Sequence, residues 1–385
     1  MSVLASRPGL RWLVPVSAAV AVLGGGLAIG AITAAADRSL PSRSAADLLV
    51  DLQTAHVDGL SGTVVARADL GLPAIPAGGD DLSALLTGTH TLRVWYAAPK
   101  QARVALMGTL NETDVITNGT DVWVWSSQEN KATHRTLPAN EDPTKALPMP
   151  MATASGFGMT PDALAKAALA LLGPSTEVTT NGSASVAGRD AYELVLKPRD
   201  PASLIGAVRL AIDATEHFPL RVAIDARGGG DPAIEVGFTQ VSFARPDDSQ
   251  FAFNPPPGAT VVESTEDPAK PDATKPDPAK PDATKPDAKP DLTSGARPPM
   301  TVVGQGWTSV LVARLPVDQA AGTENPFGGF VAQLPAVSGT WGSGHYVTGR
   351  LFSALLTDDG RILIGAVTPN QLFQAAADPA AKLGS

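Results

Sequence analysis

Residues 207–241 read AVRLAIDATEHFPLRVAIDARGGGDPAIEVGFTQV. In this stretch Val208, Leu210 and Ile212 alternate with Arg209 and Asp213. Leu220, Val222 and Ile224 alternate with Arg221 and Asp225, and Ile234, Val236 and Phe238 begin a third copy. Successive side chains of a strand point to opposite faces, so the pattern predicts three consecutive strands with one apolar face and one charged face. Antiparallel sheets accommodate that asymmetry, and the apolar face must then be buried against something.

Outward from this triplet, the alternation continues. Strands are predicted over 62–68, 90–96, 103–107, 112–117 and 122–125, with Asn118-Gly119 as a hairpin turn. Further strands are predicted over 176–180, 183–187 and 192–196. Ser44 caps a short amphipathic helix carrying Leu48, Leu49 and Leu52, and a short Leu-rich helical turn is expected near Leu82 to Leu86. Thr160-Pro161-Asp162 starts a further helix that Gly173-Pro174 stops. Residues 44–262 therefore predict an α+β domain built on a large, curved antiparallel sheet. A sheet of that size must curl. Two outcomes fit: a packed barrel or sandwich, or a half-open β-barrel with a helical lid and an apolar cavity.

The flanks have their own character. Arg7 and Arg11 precede an uncharged run from Trp12 to Ala36, longer than the roughly 20 residues that cross a bilayer. Residues 1–37 are thus expected to be a cytoplasmic start and a transmembrane signal-anchor, or a signal peptide cleaved near Ala34-Ala35-Ala36. Either way the body lies on the extracytoplasmic side. Residues 263–298 read as a linker in which the decapeptide PAKPDATKPD occurs at Pro268 and again at Pro278. Proline at that density favours an extended spacer of about 3.1 Å per residue. Residues 299–380 predict a small C-terminal α+β domain. In it, strands are expected from Trp307 to Ala313, His345 to Thr357 and Arg361 to Val367, with a turn at Asp358-Asp359-Gly360 and a helix opening at Pro369.

Composition narrows the function. The net charge of −9 over 385 residues supplies no basic footprint for nucleic acid, and with no cysteine there are no disulfides, thiolate metal sites or cysteine nucleophile. No nucleophile elbow, phosphate loop, dinucleotide fingerprint or paired-histidine zinc motif is present. Ser343 and His345 are close in sequence, but proximity along the chain is not triad geometry. Glu216-His217 reads as a hairpin turn, and Asp358-Asp359-Gly360 lacks the further acids of a calcium loop. Asn111, Asn118 and Asn181 begin glycosylation-type triplets, and Trp123 with Trp125 shares one strand face as core or cavity packing. No catalytic residue, metal or cofactor is assigned, and a non-enzymatic protein is expected.

Two groups of residues carry a resemblance. The first is Val94-Trp95-Tyr96 with Pro99 and Arg103, then Thr117-Asn118-Gly119-Thr120-Asp121-Val122-Trp123-Val124-Trp125. The second is Gly188-Arg189-Asp190-Ala191-Tyr192-Glu193-Leu194, Leu210-Ala211-Ile212-Asp213 and Pro219-Leu220-Arg221-Val222. Together they resemble the LolA-like superfamily over residues 44–262. That superfamily includes lipoprotein carriers and the periplasmic sigma-factor regulators MucB or RseB. The resemblance implies an unclosed barrel whose interior receives acyl chains of lipids or lipoproteins. It also implies, through the second domain, an alternative role in an extracytoplasmic sigma-factor pathway with an anti-sigma factor as partner. The expected cell location is the bacterial membrane, single-pass. Candidate cavity residues are the apolar strand positions Leu92, Val94, Val104, Leu106, Leu194, Leu210, Ile212, Val222, Ile224 and Val236.

Overall fold

The computed structural model describes residues 40–72, 87–138, 160–162, 165, 169, 173–264, 300–314, 331 and 333–381. The predicted triplet forms strands β9 (Ile205–Asp213), β10 (Pro219–Ala226) and β11 (Ile234–Ser242), paired antiparallel in sequence order. The β9–β10 turn is built on Asp213. Its Oδ1 accepts the backbone N–H groups of Thr215 (3.0 Å) and Glu216 (2.8 Å) and Arg189 Nη2 (3.0 Å), while Arg189 Nε donates to Oδ2. His217 completes the turn at φ +57°, in the left-handed region.

Burial opposes ionisation of Asp213. The Arg189 hydrogen bond, the Glu216 and Thr215 N–H groups and the Arg189 charge outweigh it and hold the carboxyl below the usual carboxylate range. A carboxylate depressed in the folded state adds stability above its unfolded value of about 3.9 and loses it as pH falls through the folded value. Asp213→Asn is therefore expected to lower the urea midpoint at pH 7 and to flatten the loss of stability on acidification below pH ~4. Urea titrations at both pH values check this; parallel pH curves for variant and parent would count against it.

The first strand, β1 (Gly59–Asp69), does not stand at an edge but pairs with β11, so two meanders meet at the middle of one sheet. On one side β2 (Thr87–Ala97), β3 (Gln101–Met107), β4 (Glu112–Asn118), β5 (Asp121–Ser126) and β6 (Lys131–Thr136) follow by antiparallel neighbours. The Asn118-Gly119 turn is as expected, with Gly119 at φ +68°. On the other side lie β8 (Arg189–Pro198) and β7 (Thr176–Val186). β12 (Thr260–Glu263) returns to pair parallel with β6. The result is an open twelve-stranded sheet in the order β12-β6-β5-β4-β3-β2-β1-β11-β10-β9-β8-β7.

Two expectations for this sheet are corrected. The two strands expected over 176–187 are one strand, β7, with a bulge between Thr180 and Ser183; Asn181-Gly182 bends the ladder without ending it. β6, reading KATHRT, was not expected as a strand because it lacks an apolar alternation.

Helix α1 (Ala45–Thr54) is capped reciprocally by Ser44 and Asp47, buries Leu48 and Leu52, and lies against β7 and β8. Of the second expected helix, Pro161, Asp162, Ala165 and Leu169 are helical. Its remainder, the helical turn near Leu82 to Leu86, the apolar run Trp12 to Ala36 and the proline-rich repeat lie outside the described residues. Among the described residues no helix is long and apolar enough to cross a membrane.

A second sheet of six strands follows, in the order β13-β14-β18-β17-β16-β15. Its strands are β13 (Met300–Val303), β14 (Val310–Arg314), β15 (Ala336–Gly339), β16 (Gly342–Thr348), β17 (Ser353–Thr357) and β18 (Arg361–Gly365). The single strand expected from Trp307 is a 3₁₀ turn, Gly306–Thr308, followed by β14, and the one expected over 345–357 is β16, a turn and β17. Helix α2 (Pro369–Ala377) starts at its proline as expected. It packs Leu372, Ala375 and Ala376 on Val310, Val312, Leu355 and Leu363. The Arg361 guanidinium, 3 % exposed, donates to the carbonyls of Trp341, Ala376 and Ala381 and to Asp359, tying the C-terminal end of α2 to the sheet.

The two sheets join along one seam. Arg350 Nη1 meets Asp69 Oδ2 at 2.8 Å, and Arg350 Nη2 donates to the Asp231 carbonyl at 2.5 Å. Leu351 is buried with Ala68, Leu70, Ala226 and Ala233, with Phe352, Ile224 and Ile234 packed alongside. Trp307 Nε1 donates to Thr176 Oγ1 at 2.7 Å.

Candidate functional site

Strand register places all ten candidate residues on one face of the twelve-stranded sheet. Leu106 pairs with Leu92, Leu92 with Val64, and Val64 with Phe238; Val104 pairs with Val94 beside them. A central row runs Ala66, Val236, Val222, Leu210, Leu194, and a neighbouring row runs Ile234, Ile224, Val208, Leu196. Ile212 faces Tyr192 in the same manner. Beyond β3 the face continues through Val115 and Val124. An apolar surface therefore crosses eight consecutive strands, β5 to β9 by way of β1 and β11, and carries on into β8.

Burial divides that surface. Leu194, Leu210, Ile212, Val222 and Val236 are wholly buried, and Leu92 and Val94 nearly so. Val104, Leu106 and Ile224 are half-buried, as is Val124. For Ile224 the seam supplies the reason: it packs beside Leu351 of the second sheet. Val104, Leu106 and Val124 lie toward the other end, on β3 and β5. These three half-buried positions, remote from both α1 and the seam, stand beside buried Ala102, Val115, Thr117 and Val122 of the same face.

The opposite face is charged over β8–β11 and aromatic over β3–β6. Arg209 meets Asp225 at 2.8 Å, Arg221 meets Glu193 at 3.6 Å, and Arg67 meets Glu235 at 3.9 Å. The Asp225 hydrogen bond holds the Arg209 guanidinium more firmly protonated against the opposing cost of burial. Further along, Arg103 pairs with buried Asp114 and stacks over Trp95 at 5.3 Å. The 3₁₀ turn Asp248–Phe251 seals this side, with Phe251 buried and touching β3 and β4. Phe253 lies 5.2 Å from Trp123 and 6.1 Å from Trp125, and His134 stacks on Trp123 at 4.2 Å. Trp123 and Trp125 thus share a face, as expected, but it is the one turned away from the candidate residues. His134 also lies between Asp121 (3.0 Å) and Glu263 (2.9 Å), one at each ring nitrogen, which anchors β12.

The other residues singled out in the sequence do not converge. His345 Nδ1 donates to the Leu334 carbonyl (3.0 Å), whereas Ser343 donates to Asp358. Asn181 donates to Glu193 at 2.8 Å. The seam residues Arg350, Leu351 and Phe352 were missed. They fall in a stretch read as one strand, and only the seam contacts set them apart from its alternation.

No family model and no curated protein matches the sequence. Solved structures similar to it include MucB and LolA-superfamily proteins, the group that the residue stretches resemble. The complex structure of Pseudomonas aeruginosa MucA/MucB is 17% identical, with TM-score 0.42, covering 86% of this chain and 96% of that one. A LolA superfamily protein from Nitrosomonas europaea is 12% identical, with TM-score 0.23, covering 55% of this chain and 99% of that one. At these identities and TM-scores the likeness carries no argument about function, which has to be made from the chain's own residues.

Proposed function

We propose that this chain is a non-enzymatic, extracytoplasmic binding protein, tethered to the bacterial membrane by its N-terminal segment, that receives acyl chains of lipids or lipoproteins on the apolar face of a half-open sheet. The observation carrying this reading is the half-buried group Val104, Leu106 and Val124 at the end of an otherwise buried apolar face. Burying an acyl chain there contributes about 0.8 kcal/mol per methylene, enough for useful affinity without a polar contact. Helix α1 over β7 and β8 acts as part of the lid.

Native mass spectrometry of detergent-free protein tests this. A bound lipid, or a stoichiometric mass increase after exposure to phospholipid vesicles, is expected. Protein that stays at its bare mass in both cases would remove the reading. A second reading, a MucB/RseB-like regulator that grips an anti-sigma factor, is favoured by a different feature. Met300, Val302, Leu311 and Ile364 are exposed on the face of the second sheet away from α2. A pulldown returning a single-span anti-sigma factor from protein free of lipid would favour it over the first.

A further inference from the structure

The β6 edge of the large sheet is closed by a strand with little to hold it. β12 has four residues, all exposed, and it pairs with β6 in the parallel sense, the weaker of the two per residue. Hydrogen bonds pin its two ends. Thr260 N donates to the Asn130 carbonyl (2.9 Å), Asn130 Nδ2 to the Gly258 carbonyl (2.9 Å), and Ser264 N to the His134 carbonyl (2.8 Å). Between them, Glu263 brings a carboxylate onto the His134 ring.

His134 meets a carboxylate at each ring nitrogen. Nε2 lies 3.0 Å from Asp121 Oδ1 on β5, and Nδ1 lies 2.9 Å and 3.1 Å from the two Glu263 oxygens on β12. An ionised carboxylate only accepts hydrogen bonds, so satisfying both contacts needs a hydrogen on each nitrogen, and such a ring is an imidazolium. Stacking on Trp123 at 4.2 Å fixes the plane of the ring. Among the described residues, Asp121 and Glu263 are the charged groups in contact with it. Ala132 and Thr136, its same-face neighbours on β6, are uncharged, and Lys131 and Arg135 fall on the opposite face.

We propose that β12 is a pH-dependent strap, held on β6 by the charged form of His134 and loosened when the ring loses its proton. A neutral ring keeps one hydrogen, so its other nitrogen turns a lone pair toward a carboxylate, and a bond gives way to repulsion. The ring's charge is present at low pH and is lost as pH rises through the range in which histidine titrates, about pH 5 to 8. The strap is therefore firmest on the acidic side of that range. Loosening it uncovers the outward N–H and C=O groups of β6, an edge that a further strand can join.

Hydrogen exchange on the full chain, corrected for the intrinsic effect of pH on exchange, reads the strap at the Thr260 and Ser264 amides. Glu263 and Asp121 are 70 % and 48 % exposed, which makes their pairs with the ring ones of surface strength. Protection at both amides is therefore expected to fall about two- to fivefold between pH ~5.5 and pH ~8. The Ala233 amide, bonded to the Ile224 carbonyl beside the β10–β11 turn, should hold steady over the same range and reports on the rest of the sheet. Glu263→Gln, at an exposed position, is expected to bring protection at the acidic pH down to the parent's level at the alkaline one and to remove most of the pH dependence. His134→Gln should do the same. A parent whose strap amides keep constant protection overturns the proposal, as does either variant that retains the parent's pH dependence. A fall shared by Ala233 would be a loosening of the whole sheet and would overturn it too.

Discussion

Leu210→Ala is expected to lower unfolding stability by about 2–5 kcal/mol, the range for removing a fully buried leucine from a close-packed core. Leu210 is wholly buried between Leu194 and Val222 at the middle of the central row. Leu106→Gln, on the same face but half-buried, is expected to cost under about 1 kcal/mol. Acyl loading should show the reverse order, because Leu106 is one of the half-buried positions of the face and Leu210 is sealed within it. Urea unfolding and probe binding on both variants give the comparison. If Leu210→Ala cost under ~1 kcal/mol, the centre of the face would not be close-packed, and the division between core and binding surface would have to be moved.

Arg350→Ala is expected to release the seam. Arg350 Nη1 reaches both Asp69 Oδ2 (2.8 Å) and the Asp69 carbonyl (3.2 Å), while Nη2 reaches the carbonyls of Asp231 (2.5 Å) and Gly229 (3.3 Å). These contacts are solvent-exposed and contribute about 0–1 kcal/mol each, so the effect rests on four of them being lost together. The seam's backbone amides report on this directly. Arg350 N donates to the Leu70 carbonyl, Leu204 N to that of Ala366, and Thr368 N to that of Ala202. Their hydrogen exchange is expected to accelerate at least tenfold in the variant. Arg350→Lys should rescue little, since an ammonium cannot reach acceptors on two sides at once. Unchanged exchange would mean that Leu351 and Phe352 hold the seam alone.

Much of the fold was legible in local pattern. The alternation in 207–241 placed β9, β10 and β11; Asn118-Gly119 placed the β4–β5 turn; Pro369 placed the start of α2. Each is a signal contained within a few residues. β6 was missed because KATHRT puts hydroxyls and cations on the face where its neighbours carry valines. β13 and β15 were missed because four residues are too few to show a period. The bulge in β7 looked like a strand boundary because Asn-Gly ends strands more often than it bends them.

The ten candidate residues were legible as a set because side-chain parity within a strand is local, and register between hairpin neighbours preserves it. Their division into core and open surface was not. It depends on β1 pairing with β11 across more than 160 residues of chain, on α1 covering β7 and β8, and on Leu351 closing over Ile224. The amino-acid pattern by itself determined which side chains are apolar and which way each one points relative to its neighbours. Only the tertiary structure decided what lies on top of them, because covering a face is a matter of contacts between segments far apart in the chain, and no periodicity encodes those.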